Sequence, residues 1–154
     1  MIRTNPYLHV VLHEPEIPAN AGNIARLCGA AELRLHLIHP LGFTVDDKRL
    51  KRAGLDYWSE IDLCYHASFE AFMGSQEGGQ LIALSSHGSQ DYTKAKVQQG
   101  DYLLFGKETV GLPRSIREAH PCYRIPIWGK VRSLNLSTAV GIVVYHHLHV
   151  MGRF

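Results

Sequence analysis

The chain has 154 residues, 45% hydrophobic and 19% charged, with a net charge of +2 and ten histidines. That is ordinary for one globular domain, too small for two comfortable ones, and too nearly neutral to name a partner by charge alone, although histidine protonation adds positive charge near neutral pH. No apolar run reaches the ~18–20 residues of a membrane span and MIRTNPYLHV has no secretory core, so neither is expected; Cys28, Cys64 and Cys122, scattered and without a CxxC, read as reduced thiols of a cytoplasmic protein rather than a disulfide framework or zinc site.

Residues 8–13 (LHVVLH) form a predicted buried strand between two prolines. A loop follows, and Asn20 is placed to cap a helix over AGNIARLCGAAE. Residues 33–38 give a second strand, ended by Pro40 and Gly42. Residues 46–53 read as a short helix with acids first and bases behind, which suits the helix dipole. A short strand at 62–66, a helix at 68–73 and a buried strand at 80–85 come next, the last opening into SSHGSQ. Two closing strands, 101–105 and 123–127, flank a helical segment at 112–119 in which Pro113 suits a first turn. The final helix runs from about Asn135 to Met151. Strands alternating with helices predict one α/β domain over residues 1–154, with a mainly parallel sheet and helices on both faces.

The last third of the chain is the most informative. Both closing strands run into loops of glycine, serine, asparagine and charged residues, and strand ends opening into polar loops are where open α/β sheets bind ligands. One composite pocket is expected there. The Gly106 to Gly111 spacing invites a P-loop, but Leu-Pro follows where Lys and Ser/Thr are needed; no G-x-G-x-x-G is present, so nucleotide-triphosphate and dinucleotide readings lose their basis. What remains is a turn in which backbone can approach a ligand, or a plain strand-to-helix connection. In GKVRSLNLS, Ser133 or Asn135 can cap the last helix, leaving the other and Ser137 for another role.

Upstream, Asn23 and Arg26 share a helix face at i, i+3, placed either to hold a phosphate or sugar or simply as surface groups of a capped helix. Lys48, Arg49, Lys51 and Arg52 form a basic run that either neutralises nucleic-acid phosphates or is a solvated face. His146, His147 and His149 make only half a metal site and read as surface or interface residues. The last helix carries apolar residues on most sides of its first half, which predicts burial against a partner subunit as well as the sheet.

Three blocks in order, NAGNIAR at 20–26, LFGKETVGLP at 104–113 and IPIWGKVRSLNLSTAVGIVVY at 125–145, resemble the SPOUT superfamily of S-adenosylmethionine-dependent RNA methyltransferases. HEPEIPANAGNIARLC and DDKRLKRAGLDYW extend the likeness across the chain, toward the short tRNA wobble-position 2′-O-methyltransferases. The resemblance implies a C-terminal deep trefoil knot and a homodimer. It implies that S-adenosylmethionine, with no metal, is held by loops carrying Leu84, Gly106, Ile125 and Ser133, with Leu134 and Leu136 lining the adenine pocket. It makes Arg26 the catalytic residue and places Asn23, Asn135 and Ser137 around the substrate. Lys48, Arg49, Arg52, Lys130 and Arg132 are then candidates for gripping the tRNA anticodon stem-loop. Lys107, where relatives often have proline, and Trp128-Gly129-Lys130 depart from the pattern. The alternatives are the same chemistry on another RNA such as ribosomal RNA, or a non-catalytic RNA-binding or assembly module.

Overall fold

A computed structural model describes residues 5–44 and 59–154. Among the described residues, seven strands form one sheet: β1 (His9–His13), β2 (Arg34–Ile38), β3 (Asp62–His66), β4 (Leu81–Leu84), β5 (Gln90–Asp91), β6 (Tyr102–Phe105) and β7 (Cys122–Arg124). Their order is β3-β2-β1-β6-β4-β7-β5, and every strand pair is parallel. The four α-helices among the described residues are α1 (Pro18–Ala31), α2 (Phe69–Ser75), α3 (Arg114–Ala119) and α4 (Leu136–Val150). The predicted helix at 46–53, with Lys48, Arg49 and Arg52, lies outside the described residues.

Successive strand residues point to opposite faces, and the core divides accordingly. Val10 and Leu12 join Ile24, Ala25 and Cys28 of α1 and Val140, Val143 and Val144 of α4 on one face. Val11 joins Phe72 of α2, Ile116 of α3 and Leu104 on the other. A strand buried on both faces has no polar alternation, which is why all five residues of β1 are buried, with Val10, Val11 and Leu12 apolar in succession between His9 and His13.

Several boundaries differ from expectation for local reasons. Helix α1 starts at Pro18, whose fixed φ suits the first turn, and its N-cap Ile17 has no side-chain hydrogen bond. Asn20, expected as the cap, therefore lies inside the helix and is buried. Strand β7 ends at Arg124 rather than 127; its neighbours β4 and β5 are short, and Pro126 has no N–H for a ladder. Pro113 is the N-cap of α3, not part of its first turn. At α4 the cap is Asn135, whose side-chain oxygen accepts the N–H groups of Ser137 at 2.9 Å and Thr138 at 3.3 Å. The Ser137 hydroxyl donates to the same oxygen at 2.6 Å.

Candidate active site

Three loops leave the carboxyl ends of β4, β6 and β7 and enclose a cleft of about 850 Å³. Its walls are Leu84 to His87 from the first loop, Phe105 to Gly111 from the second, and Ile125, Ile127 and residues 132–136 from the third, with Ile17, Asn20 and Ala139 completing them. Backbone contact holds these loops together. The Ser85 N–H donates to the Tyr123 carbonyl at 2.9 Å, and a Cβ on Gly88 would meet the Tyr123 backbone at 2.3 Å. A Cβ on Gly106 would lie 2.2 Å from the carbonyl carbon of Gly111, which itself adopts φ +70. Only glycine closes this turn without displacing main chain, so the cleft wall here is backbone.

The second loop is also tied to the start of α1. The Glu108 carboxylate accepts the backbone N–H groups of Glu16 at 2.8 Å and Ile17 at 2.7 Å and the Asn20 amide at 3.2 Å. It thus accepts the two main-chain N–H groups just ahead of Pro18, where the chain enters α1. Glu16 reciprocates by accepting from the Thr109 N–H at 3.0 Å and hydroxyl at 2.6 Å, and these bonds hold its carboxyl below the usual carboxylate range. Lys107 pairs with Glu14 at 2.9 Å, chiefly through that hydrogen bond keeping its ammonium above the ordinary lysine value. The acids of this loop system are therefore committed to protein partners.

All six residues expected around the donor, Leu84, Gly106, Ile125, Ser133, Leu134 and Leu136, line this one cleft, as do Asn135 and Arg132. Asn23 and Arg26 do not line it; both are exposed on α1, three and six residues beyond the cleft residue Asn20. Six residues advance a helix by about 9 Å. Ser137 sits in the first turn of α4, and Lys130 is exposed on the third loop. His87, Ser86 and Thr109 are cleft residues that sequence reasoning did not single out; their only signal was position in a polar loop after a buried strand. The histidine cluster of α4 divides. His147, expected at a surface or interface, is buried beside Tyr92, and burial lowers its pKa to about 4.

Residues 7–145 match the model of the SpoU rRNA Methylase family. The chain belongs to this family of methylases. Among its relatives, the SpoU-family chain is 47% identical over 148 residues, 94% of each chain, to the tRNA (cytidine(34)-2'-O)-methyltransferase of Escherichia coli K12. It is 46% identical to a putative tRNA (cytidine(34)-2'-O)-methyltransferase of Bacillus subtilis, covering 92% of this chain and 91% of the relative. A solved structure concerned with the 2-OH methylation of C/U34 on tRNA superposes with a TM-score of 0.91 at 47% identity, covering 96% of this chain and 98% of that one. An AdoMet-bound rRNA methyltransferase from Sinorhizobium meliloti matches with a TM-score of 0.85 at 26% identity, over 98% of this chain and 59% of its own.

Proposed function

We propose that this protein transfers a methyl group from S-adenosylmethionine to the ribose 2′-oxygen of the wobble nucleotide, cytidine or a modified uridine, in the tRNA anticodon loop. The observation that carries this reading is the cleft itself: the residues implied as donor contacts line one site in a chain 47% identical, over 94% of its length, to a tRNA (cytidine(34)-2'-O)-methyltransferase. The residues present fit the donor. The glycine turn at Gly106 and Gly111 leaves main-chain groups accessible, while Leu84, Ile125, Leu134 and Leu136 offer apolar walls for an adenine ring.

When bound, S-adenosylmethionine supplies an electrophilic methyl group on a positively charged sulfonium. The protein's task is to bring the ribose hydroxyl into near-attack contact and to favour loss of its proton. Arg26 is assigned electrostatic stabilisation of the forming alkoxide and a grip on the neighbouring phosphate. It is not assigned the base, since a guanidinium stays protonated in proteins. Lys130 and Arg132 add phosphate contacts, which makes RNA binding salt-dependent. Glu108 is structural, because its carboxylate is fully engaged with the entry to α1.

The chain is read as a single domain working as a homodimer, with its C-terminal segment threaded as a trefoil knot. The insertion of β6 between β1 and β4, and the return of the chain after β7 across the loops of β4 and β6, support the threading. In the dimer, α1 of one copy facing the cleft of the other would place Asn23 and Arg26 at the substrate. The three cysteines are free thiols and the substrate is tRNA, both of which favour a cytoplasmic enzyme.

The test is incubation with labelled S-adenosylmethionine and tRNA from a strain lacking the gene, followed by mapping of 2′-O-methyl groups. Label at the first anticodon position is expected; no label in tRNA with donor binding intact would overturn the substrate, and absence of donor binding would overturn the enzyme. Arg26→Ala should lower kcat by roughly 10²–10³-fold with donor affinity kept. Mixing it with a Gly106 variant should restore part of the activity if each site draws on both copies.

A further inference from the structure

The third loop leaves the cleft wall at Ile127 and rejoins it at Arg132. Between these anchors, Trp128 is 92% exposed and Val131 65% exposed, and Gly129, Lys130 and Arg132 are exposed as well. Among the described residues, a Cβ on Gly129 would meet nothing within 4 Å, so the tip of the loop stands clear of them. Indole is the largest apolar side chain, and leaving it in water beside two cations needs a reason.

We propose that Trp128 is a stacking platform for an unpaired base of the anticodon loop, with Lys130 and Arg132 neutralising the phosphates on either side. This rests on the tRNA reading above. A nucleotide whose ribose occupies the cleft has neighbouring bases within reach of an arc anchored in the cleft wall at both ends. In a single-stranded loop those bases are unstacked and present π-faces, which aromatic side chains cover. The flanking charges agree with this occupant: interface cores between proteins are depleted of lysine, whereas nucleic-acid sites pair aromatic rings with cations. The donor is not the occupant, because Trp128 lies outside the cleft lining. Stacking tolerates any base, so Trp128 contributes affinity and register, and base identity is read elsewhere.

The test uses the full-length protein with Trp58→Phe, so that Trp128 is the single indole, and a short anticodon stem-loop RNA. Saturable quenching of the Trp128 fluorescence is expected, relieved by an abasic nucleotide at one loop position but not by exchanging its base. Trp128→Ala should weaken RNA binding, and raise KM for tRNA, by about 5- to 150-fold. Trp128→Phe should fall between, with kcat changing less than KM in both. Donor affinity by calorimetry and oligomeric state by light scattering should not move. Lost donor affinity would reassign the indole to the donor pocket, and a changed oligomeric state would reassign it to an interface between copies; either overturns the platform. Unaltered RNA binding in Trp128→Ala, with wild-type tRNA methylation intact, overturns the platform alone. Absence of both methylation and quenching with any tRNA overturns the substrate reading beneath it.

Discussion

The two halves of the sheet are held together by different means. In β1, β2 and β3, three histidines form a diagonal on one face. His9 Nδ1 shares a hydrogen bond with His36 Nε2 at 2.8 Å, and His36 Nδ1 shares one with His66 Nε2 at 2.8 Å. Tyr102 stacks on His9 at 3.9 Å, Phe72 closes the side, and Arg34 meets Asp62 across the register at 3.0 Å. A neutral imidazole has one donor and one acceptor, so a chain of three satisfies its inner nitrogens without charge. In β4, β6 and β7 the decisive contacts are main chain against main chain, at Gly88 and Gly106. The difference teaches where side chains can be used for cohesion: the first half seals itself with them, while the second brings backbone against backbone around the cleft, which suits the proposed donor site.

Variants that attack one half and spare the other test this division. The largest effect is expected at Gly106. Gly106→Val forces a side chain into the Gly111 backbone and should lower donor affinity by about 100-fold or more, read by calorimetry, while the histidine half keeps its acid behaviour. An unchanged donor affinity would remove the cleft from the donor.

Next is pH. Burial, with the nearby Arg34 charge adding to it, lowers His9 to about 4; burial and its two histidine neighbours lower His36 to about 2; burial lowers His66 as well. These rings are neutral in the folded chain, so their stabilisation is fully present above the unfolded value near 6.5. It is lost as pH falls below 6.5, because the unfolded chain takes up protons that the folded chain refuses. His9 alone should account for about 3 kcal/mol between pH 6.5 and 4, measured by urea unfolding across pH. His36→Leu should shrink this acid limb by the His36 share, leaving the parts due to buried His9, His13, His66 and His147, and leave donor affinity at neutral pH unchanged. An undiminished limb would mean that the histidine chain is not its source.

The smallest effect is expected at the tie between the halves. Glu108→Ala removes the acceptor of two backbone N–H groups and the Asn20 amide, and should cost about 2 kcal/mol in urea unfolding with a modest loss of donor affinity. Full donor affinity with the stability loss present would show that the second loop keeps its shape without α1.

Much of this was legible locally. Strand β1, the alternation of elements and the polar loops after β6 and β7 follow from runs and breaks of a few residues, and the six residues that the resemblance implies around the donor line one cleft. Asn20 was misread as a cap because Asn before an apolar helix is a strong local signal, while its actual partner, Glu108, lies 88 residues away. Strand β5, Gln90–Asp91, has no apolar pattern to find, since two residues beside β7 need only backbone pairing.

The amino-acid sequence by itself determined the α/β class, the elements that repeat at short range, and the chemistry of the loops. Tertiary structure alone decided the strand order β3-β2-β1-β6-β4-β7-β5, the histidine diagonal, and the Glu108 tie to α1. The physical reason is range. Propensity and periodicity act over one or two turns, whereas His9 and His36 meet only because parallel pairing of β1 with β2 sets 27 residues of separation to a 2.8 Å contact.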